Sequence, residues 1–128
     1  MQEKNNPLSP HLQIYRWQIS SLLSITHRIV GVINILAISA ICFWSLFLLL
    51  GAENYQLINN FFNSFFGKFI AVGLCWTFSF HILNELRHLF WDMGYGFDLK
   101  ISRITGVLAL IGSFVLTILF YLIGKNIF

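Results

Sequence analysis

Ser24, His27 and Arg28 stand at spacings of three and four, so a helix through them presents a hydroxyl, an imidazole and a guanidinium on one face. Trp17 joins that face if the helix runs back two turns. Taken alone, the trio reads either as a built polar site or as a set of side chains snorkelling to lipid headgroups. A second group lies further on. His81 is followed by Asn84 and Glu85 three and four residues later, and by His88 at seven, which returns to nearly the same face about 10 Å along the axis. A neutral imidazole in an apolar bundle suits an interhelical hydrogen bond or axial ligation of haem iron, and both stay open. In the haem reading His81 takes the iron, while His27, Arg28, Arg87 and His88 surround the two propionates and match cations to carboxylates. No second histidine is expected at the depth of His81, because His27 and His88 fall near the surface and His11 lies in the N-terminal arm. A six-coordinate iron would then need a ligand from another subunit. Glu85 reads as a local partner of Arg87, His88 or another interfacial cation.

The elements that hold these residues follow from composition. Of 128 residues, 57% are apolar and only 10% charged, a balance for which a bilayer is a better solvent than water. No Asp, Glu, Lys or Arg occurs in 29–52, 69–84 or 104–124, stretches of 24, 16 and 21 residues. Two of these are long enough to cross a hydrocarbon core of about 30 Å. The middle one is marginal, so its helix must carry polar or charged residues into the membrane, where they are costly and usually serve a task. The expected fold is all-α: one transmembrane domain over 1–128, with helices near 21–50, 63–91 and 102–124. A polar arm with Pro7 and Pro10 precedes them over 1–19. A linker with Gly51, Glu53, Asn54, Asn59 and Asn60 joins the first two helices, and a turn over Gly94–Asp98 joins the last two.

Three spans place the arm and the second connection on one side of the membrane. That side carries Lys4, Arg16, Arg28, Arg87, Lys100 and Arg103, and the other only Lys68 and Lys125. The positive-inside rule then puts the N-terminus in the cytoplasm or matrix, and it accounts for the basic balance with no nucleic-acid partner. The first 17 residues lack both the apolar core of a signal peptide and the Arg/Ser-rich helix of a transit peptide, so direct insertion is expected. Cys42 and Cys75 each sit in an apolar stretch and read as small packing residues rather than a disulfide or a cluster ligand set.

At these residues a longer pattern stands out. It comprises Pro7-Leu-Ser-Pro-His-Leu-Gln-Ile-Tyr-Arg-Trp17, then Ser24-Ile-Thr-His-Arg28-Ile-Val-Gly31, then His81-Ile-Leu-Asn-Glu-Leu-Arg-His88-Leu-Phe-Trp-Asp-Met-Gly94. It closely resembles the cytochrome b subunits of succinate dehydrogenase, membrane anchors of respiratory complex II, in motif order, chain length and helix number. The resemblance implies an inner membrane of a bacterium or mitochondrion. It implies as partners a flavoprotein that oxidises succinate, an iron-sulfur subunit, and a second small anchor that supplies the other ligand to a shared haem b. By motif, His81 matches the haem-ligand histidine, and His27, Arg87 and His88 match positions near the propionates. Ser24 and Arg28 match the residues lining the ubiquinone pocket, with Trp17 and Ile25 nearby, and Asp92 matches an acidic residue near the same pocket. Glu85 departs from the pattern, standing where many members of the family have Gly.

The function these features lead to is anchoring of the catalytic subunits and formation of part of the site where ubiquinone takes two electrons and two protons. Succinate oxidation has no catalytic residue here, since no residue suits covalent flavin or an iron-sulfur cluster. Two other classes share the same helices: a haem-free structural anchor, separated by a reduced-minus-oxidised visible spectrum, and a small proton- or ion-conducting protein, separated by co-purification with a flavoprotein.

Overall fold

The computed structural model describes residues 17–49 and 51–127. Of the expected N-terminal arm, Lys4, Pro7, Pro10, His11 and Arg16 lie outside the described residues. Four helices follow in chain order: α1 (Ile19–Leu49), α2 (Ala52–Asn63), α3 (Phe65–Asp92) and α4 (Leu99–Ile127). Among the described residues there is no strand. Three of the helices, α1, α3 and α4, are long and apolar enough to cross a membrane. With 31, 28 and 29 residues at roughly 1.5 Å per residue, each is longer than a core of about 30 Å.

The expected linker after α1 is instead the helix α2. Its asparagines read as turn formers, yet Tyr55, Ile58, Phe61 and Phe62 recur at helical spacing and make a stripe that can lie on the bundle. Gly51, at φ 127°, breaks the chain out of α1. Ser64 then closes α2 and opens α3: its backbone N–H donates to the Asn60 and Phe61 carbonyls, and its hydroxyl accepts from the Gly67 N–H at 3.1 Å, a side-chain N-cap. Gly67 is required by this junction, since a Cβ there would run into the Phe61 carbonyl oxygen and the Phe62 backbone. Trp44 on α1 reaches Phe62 with ring centroids 6.3 Å apart, which ties α2 to the first helix.

Packed against both α1 and α4, α3 is the central helix. The interior is small and strongly polar: Leu23, Val30 and Phe80 form its apolar cluster, while Asn34, Thr77, Ser79, Asn84, Arg87, Ser113 and Thr117 are also buried. Large apolar side chains face outward instead, as a lipid solvent permits. Several of these buried polar groups satisfy one another or their own helix. The Thr77 hydroxyl donates to Asn34 Oδ1 at 2.9 Å, and Asn34 Nδ2 donates to the Thr77 carbonyl at 3.4 Å, linking α1 to α3. Ser79, Ser113 and Thr117 donate to carbonyls three or four residues earlier. Where α1 meets α4, a Cβ on Gly106 would collide with Leu23 Cδ1, so a glycine sets how closely those helices approach.

Candidate functional site

The site is built at one end of the bundle, where the first turns of α1 run beside the last turns of α3. Ser24, His27 and Arg28 share a face of α1, and His81, Glu85 and His88 share a face of α3. The three histidines form a file: the His27 ring stacks on His81 at 4.5 Å and 20°, and lies 5.5 Å from His88. The His88 ring in turn meets Trp91 edge-on at 5.1 Å. Space for the His81 ring comes from Gly31, where an added Cβ would stand 3.4 Å from His81 Cε1.

His27 therefore lies against His81, whereas counting residues from the helix ends places it near the surface and leaves His81 alone. The offset between α1 and α3 along the membrane normal is a tertiary property that such counting cannot supply. Glu85, expected beside Arg87, His88 or another interfacial cation, instead pairs among the described residues with His27 across the helix boundary and with His81 one turn back on α3. One carboxylate oxygen lies 3.2 Å from His27 Nε2 and 3.8 Å from His81 Nε2. These are ion-pair distances without hydrogen-bond alignment, and among the described residues His27 Nε2 and His81 Nδ1 are buried with no hydrogen-bond partner. The Oδ1 of Asn84, one turn from His81, is likewise unsatisfied.

Arg87 is committed to α4. Its Nη2 donates to the Ser102 carbonyl at 2.8 Å and to the Ser102 hydroxyl at 2.9 Å, and its Nε donates to the Thr105 hydroxyl at 3.2 Å. The guanidinium also sits 4.1 Å over the Trp91 ring. Sequence reasoning missed Ser102 and Thr105, although their spacing of three on α4 puts two hydroxyls on one face. Beside this anchor lies a cavity of about 390 Å³, lined by Ser20, Ser21, Ser24 and Ile25 from α1 and by Arg87, His88 and Trp91 from α3. Thus Ser24 and Ile25 come together with Arg87 and His88 around one space. Arg28, Trp17 and Asp92 are not among its lining residues: Arg28 is exposed on α1, Trp17 is exposed just before it, and Asp92 is exposed as the last residue of α3. A second, larger and mostly apolar cavity of about 570 Å³ lies in the groove between α3 and α4, bounded by Leu83, Arg87, Trp91, Tyr95 and Thr105 among others.

A file of imidazoles, a carboxylate between two of them, and a partly polar cavity next to it can hold a metal centre and an amphipathic ligand side by side. Comparison with known proteins gives this arrangement a context. Residues 2–120 match the succinate dehydrogenase/fumarate reductase transmembrane subunit family. The chain is 42% identical over 115 residues to the succinate dehydrogenase cytochrome b556 subunit of Rickettsia felis, covering 90% of each chain. It is 34% identical to the cytochrome b556 subunit of Paracoccus denitrificans, covering 90% of this chain and 88% of that one. Against the cytochrome b560 subunit of Reclinomonas americana it is 36% identical, covering 93% and 86%. A multi-pass membrane bundle matched over nearly its whole length in this way belongs to the succinate dehydrogenase/fumarate reductase transmembrane subunit family.

Proposed function

We propose that this chain is the cytochrome b anchor of a succinate:ubiquinone oxidoreductase in a bacterial or mitochondrial inner membrane, holding haem b through His81 and forming part of the ubiquinone-reduction site. The observation that carries the reading is the placing of the imidazole file beside the cavity lined by Ser24, Ile25 and His88, so that a redox centre and its acceptor would be neighbours.

The donor set suits haem. The His81 side chain is 32% exposed, and Gly31 leaves room for its ring. His27, whose ring is stacked on that of His81, would not hold the iron together with it. The second axial ligand is assigned to a second small anchor subunit, and the flavoprotein and iron-sulfur subunits complete the complex. His27, His88 and Arg87 would lie near the propionates, Arg87 through whatever donor capacity Ser102 and Thr105 leave it. Bound haem supplies one-electron storage beside the quinone.

At the quinone, reduction builds negative charge on the two oxygens. The Ser24 hydroxyl at the cavity would donate to that charge, and the Arg28 guanidinium, exposed one turn along α1, would add a charged donor from its rim. Ile25 would bound the ring from the cavity wall, while Trp17 before α1 and Asp92 at the end of α3, both exposed outside that lining, would close its rim and pass protons inward. The test is haem content and difference spectra of the assembled complex. His81→Ala should lose haem and His88→Ala should retain most of it; an unchanged low-spin spectrum in His81→Ala overturns the axial assignment.

A further inference from the structure

We propose that the apolar cavity between α3 and α4 seats the polyisoprenoid tail of the quinone and admits it sideways from the lipid, a reading that rests on the quinone head lying in the cavity beside Ser24. Arg87 and Trp91 line both spaces. Standing four apart, they share the strip of α3 where its two cavity-lining faces adjoin. On one side His88 continues the lining toward Ser24 and Ile25 of α1, and on the other Leu83, Leu86 and Phe90 continue it toward α4. This shared wall is tied down from both sides. Arg87 donates to Ser102 and Thr105 of α4 and covers the Trp91 ring at 4.1 Å, while the His88 ring meets Trp91 at 5.1 Å.

The two spaces differ as the two ends of a long-tailed quinone differ. The cavity of about 390 Å³ is lined by three serines, Arg87 and His88 beside Ile25 and Trp91, which suits a ring carrying oxygens. The groove of about 570 Å³ is bounded mainly by aliphatic and aromatic side chains, and its size is that of an ordinary ligand pocket. Small residues give it depth: Ala109 is buried, and at Gly112 a Cβ would stand 3.1 Å from Leu83 Cδ1. Leu86, Phe90 and Leu108 in its lining are exposed and belong to membrane-spanning helices, so the groove opens to hydrocarbon rather than to water. Lipid is as apolar as the groove, so seating a tail there adds little affinity. What it adds is direction: a tail held along α4 presents the head to the Ser24 cavity across the Arg87–Trp91 wall.

The test uses the assembled complex in lipid nanodiscs, with succinate as donor and either a tail-less or a long-tailed ubiquinone as acceptor. Comparing wild type with a variant at each tail length cancels the partitioning of the quinone into lipid. Leu108→Trp, which narrows the groove from α4, should raise KM for the long-tailed quinone about tenfold, the low end of what pocket shape imposes between substrates. KM for the tail-less quinone should move much less. Leu122→Trp, exposed at the far end of α4, should change neither. In the wild-type complex, a short-tailed ubiquinone with a diazirine at the end of its tail should label α3 or α4 within 83–112, a readout that stands even if Leu108→Trp fails to assemble. Ser24→Ala reads the head separately and should weaken both quinones alike. If it moves neither KM while the label on α4 persists, the head cavity is wrong and the groove stands. Equal KM shifts for the two quinones in Leu108→Trp, or a tail label on α1 or another subunit alone, overturn the groove and leave it to a phospholipid chain or a neighbouring helix.

Discussion

At the proposed quinone site Ser24 and Arg28 would bring different donors, and the difference can be measured. A neutral hydroxyl donor contributes about 0.5–1.5 kcal/mol and a charged donor roughly 1.5–3 kcal/mol. Arg28→Leu should therefore slow succinate-to-quinone electron transfer more than Ser24→Ala. Arg28→Lys should fall between wild type and Leu, since it keeps the charge and loses the planar fork. Succinate oxidation with an artificial acceptor should stay intact in all three, because that chemistry is proposed to sit in the soluble subunits. Wild-type quinone reduction in an assembled Arg28→Leu complex would leave Arg28 as a lipid-facing cation. At this scale the sequence was informative about which side chains matter and uninformative about whom they touch. The spacing of Ser24, His27 and Arg28 fixes a shared face in any helix. The meeting of Glu85 with His27 across the α1–α3 boundary depends on how two helices are offset, and no spacing within one helix encodes it. Arg87 shows the same limit, its donors being spent on Ser102 and Thr105 of α4.

Between elements, the approach of α1 to α4 is set by Gly106, opposite Leu23. Gly106→Val should overpack this contact at a cost of about 1–3 kcal/mol, seen as a lower thermal midpoint in detergent, and Leu23→Ala in the same chain should restore part of it. If Gly106→Val is as stable as wild type, the two helices do not pack at this point. The α3–α4 seam depends on Arg87, which donates to Ser102 and Thr105 and covers Trp91. Arg87→Met keeps the aliphatic stem and loses hydrogen bonds from a charged donor worth roughly 1.5–3 kcal/mol each, so it should lower the midpoint further than Ser102→Ala does alone. The one misread element is α2. Its asparagines and Gly51 are genuine turn signals, yet a stripe of aromatic and aliphatic residues at helical spacing prevails once it can rest against α1 and α3.

For the whole molecule, six of the eight Lys and Arg residues lie on the side of the N-terminus and the α3–α4 connection. That side is proposed to face the cytoplasm or matrix. In a background with Cys42 and Cys75 replaced, a cysteine at Asn59 on α2 should react with a membrane-impermeant reagent only from the opposite side, and labelling from the cytoplasmic side alone would invert the topology. The sequence by itself determined the helical class, the three spans and the motif residues, because a bilayer imposes long apolar runs and taxes every charge placed within them. Only the tertiary structure decided that His27 stacks on His81, that Glu85 stands between them, and that Ser24 and His88 share a cavity with Arg87. The reason is physical: hydropathy fixes a helix's depth to within a turn or so, whereas its rotation and offset come from close contacts such as Gly106 on Leu23 and the Asn34–Thr77 pair.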